Sequence, residues 1–247
     1  MTAIELDLWL RRFHQGPGAG PLLVLLPHAG GSASYFHSLS TLLAPALDVV
    51  AVQYPGRQDR REEKAVEDIR ALADQIAAVV TAAAAGRPVA LFGHSMGASV
   101  GYEMSLRLQE DGVDVVRLFA SGRRAPSRRR QGIPGRQDDS SLLAELRTLS
   151  GTDSRLLDDA DVVQMILPAL RADYRAIEAY EWRPGEVPSC PITALVGDAD
   201  PRVGEDDARA WAGHTTGGFE LITFTGGHFY LAEHTEEVAK IVVDRLT

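Results

Sequence analysis

Short, continuous apolar runs, each the length of a strand and each followed by a helix-length stretch, restrict this chain to one kind of architecture. Pro21 to Leu26, Asp48 to Gln53 and Pro88 to Phe92 are the first such runs. They do not alternate apolar with polar, so strands made from them are expected to be buried on both faces, as parallel strands are. Ser34 to Leu43 and Val66 to Ala85 read as the intervening helices. The second carries Ile69, Leu72, Ile76, Val79 and Val80 on one face, with Gly86 where a C-cap glycine belongs. The rhythm resumes with Val113–Ala120, Pro191–Val196 and Phe219–Phe224, and closes with a helix from about Thr235 to Leu246. An α/β fold follows, with a mostly parallel sheet flanked by helices. Residues 6–12, where Leu6, Leu8 and Leu10 alternate with other residues, predict one more strand with an exposed face.

The rhythm breaks between Arg123 and Pro188. No strand is visible there. An arginine-rich loop opens the segment, and helical patterns follow at 139–149 and 159–181, the second interrupted by Pro168. The segment 123–188 reads as a helical lid inserted into a single domain spanning 1–247, or else as an ordinary connecting subdomain. The formal net charge of −9 leaves no basic footprint for nucleic acid and disfavours docking to anionic membranes. The amino terminus lacks a basic stretch followed by an apolar one, and no apolar run approaches ~20 residues, so the cytoplasm is the expected compartment. The single cysteine, Cys190, cannot pair within the chain and reads as a packing residue before an apolar run. Nothing in the Cys/His pattern suggests a metal, and no cofactor is expected.

Gly93-His94-Ser95-Met96-Gly97 is a G-x-S-x-G motif between an apolar strand and the helical stretch Ala98 to Leu108. A nucleophilic serine needs that setting: a sharp strand-to-helix turn presents its oxygen above the sheet edge, and flanking glycines relieve crowding. Pro27-His28-Ala29-Gly30-Gly31 follows the first buried strand and suits an oxyanion loop, with Ala29 and Met96 as the amide donors. Gly197-Asp198-Ala199-Asp200 and Gly226-Gly227-His228-Phe229 each follow a later strand, completing the order Ser, Asp, His. His228 is the expected base. Asp198 and Asp200 both sit in the right loop; Asp200 is favoured as the acid, with Asp198 left to cap backbone amides. His28 reads as loop-shaping, and His14, His37, His214 and His234 lack the strand-end placement, His234 reading as a surface residue.

These motifs, together with Gln53-Tyr-Pro-Gly-Arg57 and Ser121-Gly-Arg-Arg-Ala-Pro126, run nearly end to end, and the chain resembles the type II thioesterases of polyketide and nonribosomal peptide biosynthesis. The resemblance implies an α/β-hydrolase fold with a mobile lid. It also implies a discrete editing enzyme that hydrolyses acyl groups from the phosphopantetheine arm of an acyl or peptidyl carrier protein. In that family the acid is the second aspartate of the G-D-x-D stretch, which points to Asp200. Chain-terminating thioesterase domains carry their acid after the strand that ends here at Phe119-Ala120, where this chain has Ser121-Gly122. A carboxylic-ester hydrolase or lipase of the same fold, and a non-catalytic binding protein on it, are the competing readings.

The stretch Arg123 to Arg136 holds six arginines and no acid. It reads as a solvated loop, or as a carrier-docking surface through Arg128, Arg129 and Arg130. Arg57 reads as a structural ion-pair partner, or as a residue that shapes the site or meets the carrier.

Overall fold

The computed structural model describes residues 3–128, 139–149 and 159–247. Its centre is a seven-stranded sheet in the order β1-β3-β2-β4-β5-β6-β7. The strands are β1 (Leu10–Arg11), β2 (Leu22–Leu26), β3 (Asp48–Val52), β4 (Val89–His94), β5 (Val115–Ser121), β6 (Ile192–Gly197) and β7 (Phe219–Phe224). Only β1 runs antiparallel to its neighbour. The continuous apolar runs become strands because both faces are covered. Leu22, Val24, Leu26, Val89 and Leu91 pack on one side and Leu23, Leu25, Val49, Ala90 and Phe92 on the other, the period-two split that a strand imposes. Helices α3 (Ile69–Ala84) and α4 (Met96–Glu110) cover the first side, and α2 (His37–Leu43) and the last helix, α7 (Thr235–Leu246), the second.

Asp68 starts α3 by accepting the Ala71 amide at 2.8 Å. The helix ends two residues before the glycine, at Ala84: Ala85 already takes a left-handed φ of 51°, and Gly86 follows at 84°. Cys190 is buried just ahead of β6.

Two expectations are corrected. Residues 6–12 are not one strand: Ala3–Trp9 form helix α1, and only Leu10 and Arg11 pair with β3. Leu6 and Trp9 pack on the core at helical spacing while Leu8 is 40% exposed, so the alternation of leucines masked a period of three. Nor does Pro168 break the second insertion helix, α6 (Ala160–Ala179), which runs through it. Pro168 lies on the exposed face, as does Gln164, whose carbonyl loses its partner to the proline ring. Water can satisfy that carbonyl, while Leu167, Ala169 and Leu170 hold the buried face on either side. The first insertion helix, α5 (Asp139–Leu149), lays Leu142 and Leu146 against Leu167 and Leu170 of α6. No helix among the described residues is long and apolar enough to cross a membrane.

Candidate active site

Ala29, Ser95, Met96, Asp200 and His228 converge on the carboxyl edge of the sheet, where β2, β4, β6 and β7 end. Leu26 is paired with Gly93, so the loop after β2 lies beside the turn after β4. Ser95 occupies that turn with φ 53° and ψ −114°, a left-handed φ that a serine rarely adopts. The turn is tight enough that a Cβ at Gly97 would drive into the Leu26 carbonyl, and one at Gly93 into the Gly97 carbonyl. Ser95 donates its amide to Ser121 of β5 at 2.8 Å, and α4 starts at the next residue, Met96. A helix N-terminus therefore lies directly behind the serine oxygen.

His228 Nε2 lies 3.0 Å from Ser95 Oγ, and its Nδ1 lies 2.8 Å from Asp200 Oδ2. The imidazole and the carboxylate are almost wholly buried, at 4% and 0% exposure. The second carboxylate oxygen of Asp200 accepts the Arg202 amide at 2.7 Å, which holds the acid in one orientation. Asp198 is exposed and accepts the Gly226 amide at 2.9 Å, tying the β6 loop to the β7 loop. The two aspartates thus divide into one that faces the histidine and one that caps backbone.

Behind His228 lies an aromatic and polar layer. His94 is fully buried, with Nδ1 2.8 Å from Ser121 Oγ, and that hydroxyl is 2.6 Å from Tyr230 Oη. The rings of His94 and His228 are 5.4 Å apart. His28 packs edge-on against Tyr35 and Phe229. Burial, then the positive neighbours, push its pKa down to about 3, and the same causes hold His94 well below the usual histidine range. Both rings are neutral at pH 7, and His28 packs as a shaping residue. His214 is buried away from this layer, near Ser127 and Trp182, and burial lowers its pKa to about 4. His234 is not a plain surface residue: it is half-buried and donates to the Thr225 carbonyl at 2.9 Å, bracing the end of β7.

The loop after β2 is gripped from two sides. From below, Gln53 accepts the Ala33 amide at 2.9 Å, Tyr54 donates to the Pro27 carbonyl at 3.2 Å, and Arg57 donates to the Gly31 carbonyl at 3.2 Å. From α6, Asp173 accepts the Gly30 amide at 2.7 Å and pairs with Arg57 at 2.8 Å. Burial pushes the Asp173 carboxyl up, against the pull of Arg57 and the Gly30 amide. Arg57 is therefore an ion-pair partner and a shaper of this loop together. Asp173 was not singled out from the sequence, although an acid among Ala169, Leu170, Ala172 and Ala176 on the apolar face of a helix was a usable signal.

A cavity of about 310 Å³ opens beside Ser95 and His228. Ala29 and Arg123 line it, as do Tyr174 and Tyr180 at the α6 end. Arg128 is exposed on its wall; Arg129 and Arg130 lie outside the described residues. A buried Ser-His-Asp line with a cavity at the serine is equipped for acyl transfer through a covalent intermediate. Among the described residues no group of acids, histidines or cysteines is arranged to hold a metal ion. The thioesterase domain family matches residues 21–246.

The chain belongs to the thioesterase family.

Thioesterase PikA5 of Streptomyces venezuelae is 45% identical over 244 residues, which cover 98% of this thioesterase and 87% of that one. Among solved structures, the type II thioesterase BorB from the borrelidin biosynthetic cluster shares 50% identity and superposes with a TM-score of 0.91, covering 98% of each chain. YbtT, a type II thioesterase from the yersiniabactin biosynthetic pathway, shares 26% identity with a TM-score of 0.87, covering 96% of this chain and 98% of that one. This thioesterase is thus a hydrolase, and its relatives belong to polyketide and nonribosomal peptide pathways.

Proposed function

We propose that this thioesterase hydrolyses acyl groups from the phosphopantetheine arm of an acyl or peptidyl carrier protein, with Ser95 as nucleophile, His228 as general base and Asp200 as the acid that orients it. The observation that carries the proposal is the unbroken hydrogen-bonded line from Ser95 through His228 to Asp200, set in a strand-to-helix turn at the edge of a cavity. His228 Nε2 takes the Ser95 proton as Oγ attacks the thioester carbonyl, and the imidazolium that forms is balanced by buried Asp200. The tetrahedral oxyanion meets the amides of Ala29 and Met96. Asp173 occupies the Gly30 amide, which favours Ala29 over its neighbour as the loop donor.

Collapse of the intermediate breaks the carbon–sulfur bond, and the departing thiolate takes the proton from His228. His228 then draws a proton from water, the hydroxide attacks the acyl-Ser95 carbonyl, and the freed serine oxygen recovers that proton. The carboxylic acid leaves. The names borne by the relatives support a carrier-bound thioester as substrate. The helices of the 123–188 insertion act as a lid over the cavity, and Arg128 on the cavity wall meets the carrier or its phosphate.

The test is hydrolysis of acylated carrier protein by the parent chain and by Ser95→Ala. Loss of turnover, together with loss of fluorophosphonate labelling at Ser95, is expected. Parent-level turnover in the variant would overturn the proposal.

A further inference from the structure

Arg123 is a cation in the cavity that the hydrolytic machinery does not use. It follows Ser121-Gly122 at the end of β5, and β5 lies beside the strand that carries Ser95. Its carbonyl accepts the Trp211 indole N–H at 2.8 Å, which fixes the backbone. Its Nε donates to Ser99 Oγ at 2.9 Å. Ser99 lies on α4 four residues beyond Ser95, about 6 Å along the axis. The guanidinium therefore sits over the same helix end as the nucleophile, with Tyr174 of α6, Tyr180 just beyond its end and Arg124 as its charged or polar neighbours. Among the described residues no carboxylate pairs with it.

That is an unusual place for a guanidinium. Burial, and then neighbouring Arg124, push its pKa down to about 10, so it keeps its charge at pH 7 with no ion-pair partner among the described residues. The residue is half-buried at the cavity, and desolvated charges are ordinarily paired. Ser99 satisfies one of the five N–H donors of the planar fork, and Arg123 lines the cavity that opens beside Ser95. Oxygen acceptors suit such a fork, and an alkyl chain leaves it unsatisfied.

We infer that Arg123 is a specificity-determining residue that selects acyl groups carrying an oxygen acceptor, a hydroxyl or carbonyl on the β-carbon or a neighbouring atom, over plain alkyl acyl groups of the same length. The inference rests on the reading of Ser95 as nucleophile. The one-turn offset between Ser95 and Ser99 sets the distance: an acyl carbon bonded to Ser95 places its β-substituent a few bonds away, within reach of the fork. A charge-assisted hydrogen bond of this kind discriminates by about ten- to hundredfold when one partner is missing.

The experiment compares butanoyl, 3-hydroxybutanoyl and 3-oxobutanoyl thioesters of pantetheine, each with the parent chain, Arg123→Met and Arg123→Lys. The readout is the ratio of kcat/KM for an oxygenated substrate to that for butanoyl. Dividing the parent ratio by the variant ratio removes the intrinsic reactivity of each thioester. The quotient is expected to be about tenfold or more for Arg123→Met and smaller for Arg123→Lys, with both variants checked for a parent-like circular dichroism spectrum. Ser99→Ala, which keeps the guanidinium but frees Nε, serves if Arg123→Met does not fold, and is expected to shift the same quotient. A quotient near one overturns the inference. So does an equal loss on all three acyl groups that vanishes when N-acetylcysteamine replaces pantetheine, because the cation then holds the arm. Failure of the parent chain to hydrolyse any thioester would instead sink the reading of the active site.

Discussion

The Arg57 guanidinium meets the Asp173 carboxylate at 2.8 Å, joining the segment after β3 to the insertion helix α6. Both side chains are buried, and the second carboxylate oxygen holds the Gly30 amide. Removing one partner strands a buried charge, at a cost of about 3–5 kcal/mol. Arg57→Met and Asp173→Leu should each lower stability by that order in urea unfolding. The double variant should lose clearly less than the sum, because neither charge is then left alone. Additive losses would show that the pair is not coupled. With the Gly30 amide released in Asp173→Leu, kcat is expected to fall more than KM rises.

Asp200 and Asp198 are separated by one residue but face different partners. In the proposed triad Asp200→Asn would remove the charge that balances the His228 imidazolium and disturb the tautomer it selects, so kcat should fall roughly 10³- to 10⁴-fold. Asp198→Asn keeps an acceptor for the Gly226 amide and should change kcat by less than about threefold, since an exposed turn contact is weak. Equal losses in the two variants would reverse the assignment of the acid.

Buried neutral histidines make the fold sensitive to acid. His94 and His214 are 0% and 2% exposed; burial lowers the His214 pKa to about 4 and that of His94 well below the ordinary value. The unfolded chain protonates each near pH 6.5, while the native chain does not until the pH is far lower. Their contribution is complete above about pH 6.5 and is lost as the pH falls, by about 1.4 kcal/mol per pH unit for each ring. Urea unfolding at pH 7 and pH 5 should therefore differ by about 2 kcal/mol per histidine. His214→Gln should flatten the slope; an unchanged slope would count against a buried neutral ring.

Arg128 stands exposed on the cavity wall. Arg128→Glu should raise KM for carrier-bound substrate several-fold, with the effect shrinking in high salt, and leave KM for a small acyl thioester unchanged. The same rise for both substrates would place Arg128 outside any carrier contact.

Much of this was legible in the sequence, for identifiable reasons. Strands β2, β3, β4 and β6 are buried on both faces, so their residues form unbroken apolar runs that admit few other readings. Ser95, Asp200 and His228 stand just past strand ends, and strand ends are easier to locate than side-chain contacts. The amino-terminal helix was hidden because Leu6, Leu8 and Leu10 satisfy a period of two while burial follows Leu6 and Trp9. Pro168 was read as a break because its neighbours' burial on the opposite side of α6 was not visible. Asp173 was missed because its partners, Gly30 and Arg57, lie 143 and 116 residues away, beyond any local pattern.

The strand that delivers His228 is the outermost of its sheet. β7 pairs with β6 alone, and most of its residues are half-exposed, whereas β4, which delivers Ser95, lies at the centre and is wholly buried. Edge strands fray at a fraction of the cost of opening a core. Mild heat or denaturant is therefore expected to draw His228 away from a Ser95 that is still firmly seated, while nearly all of the secondary structure survives.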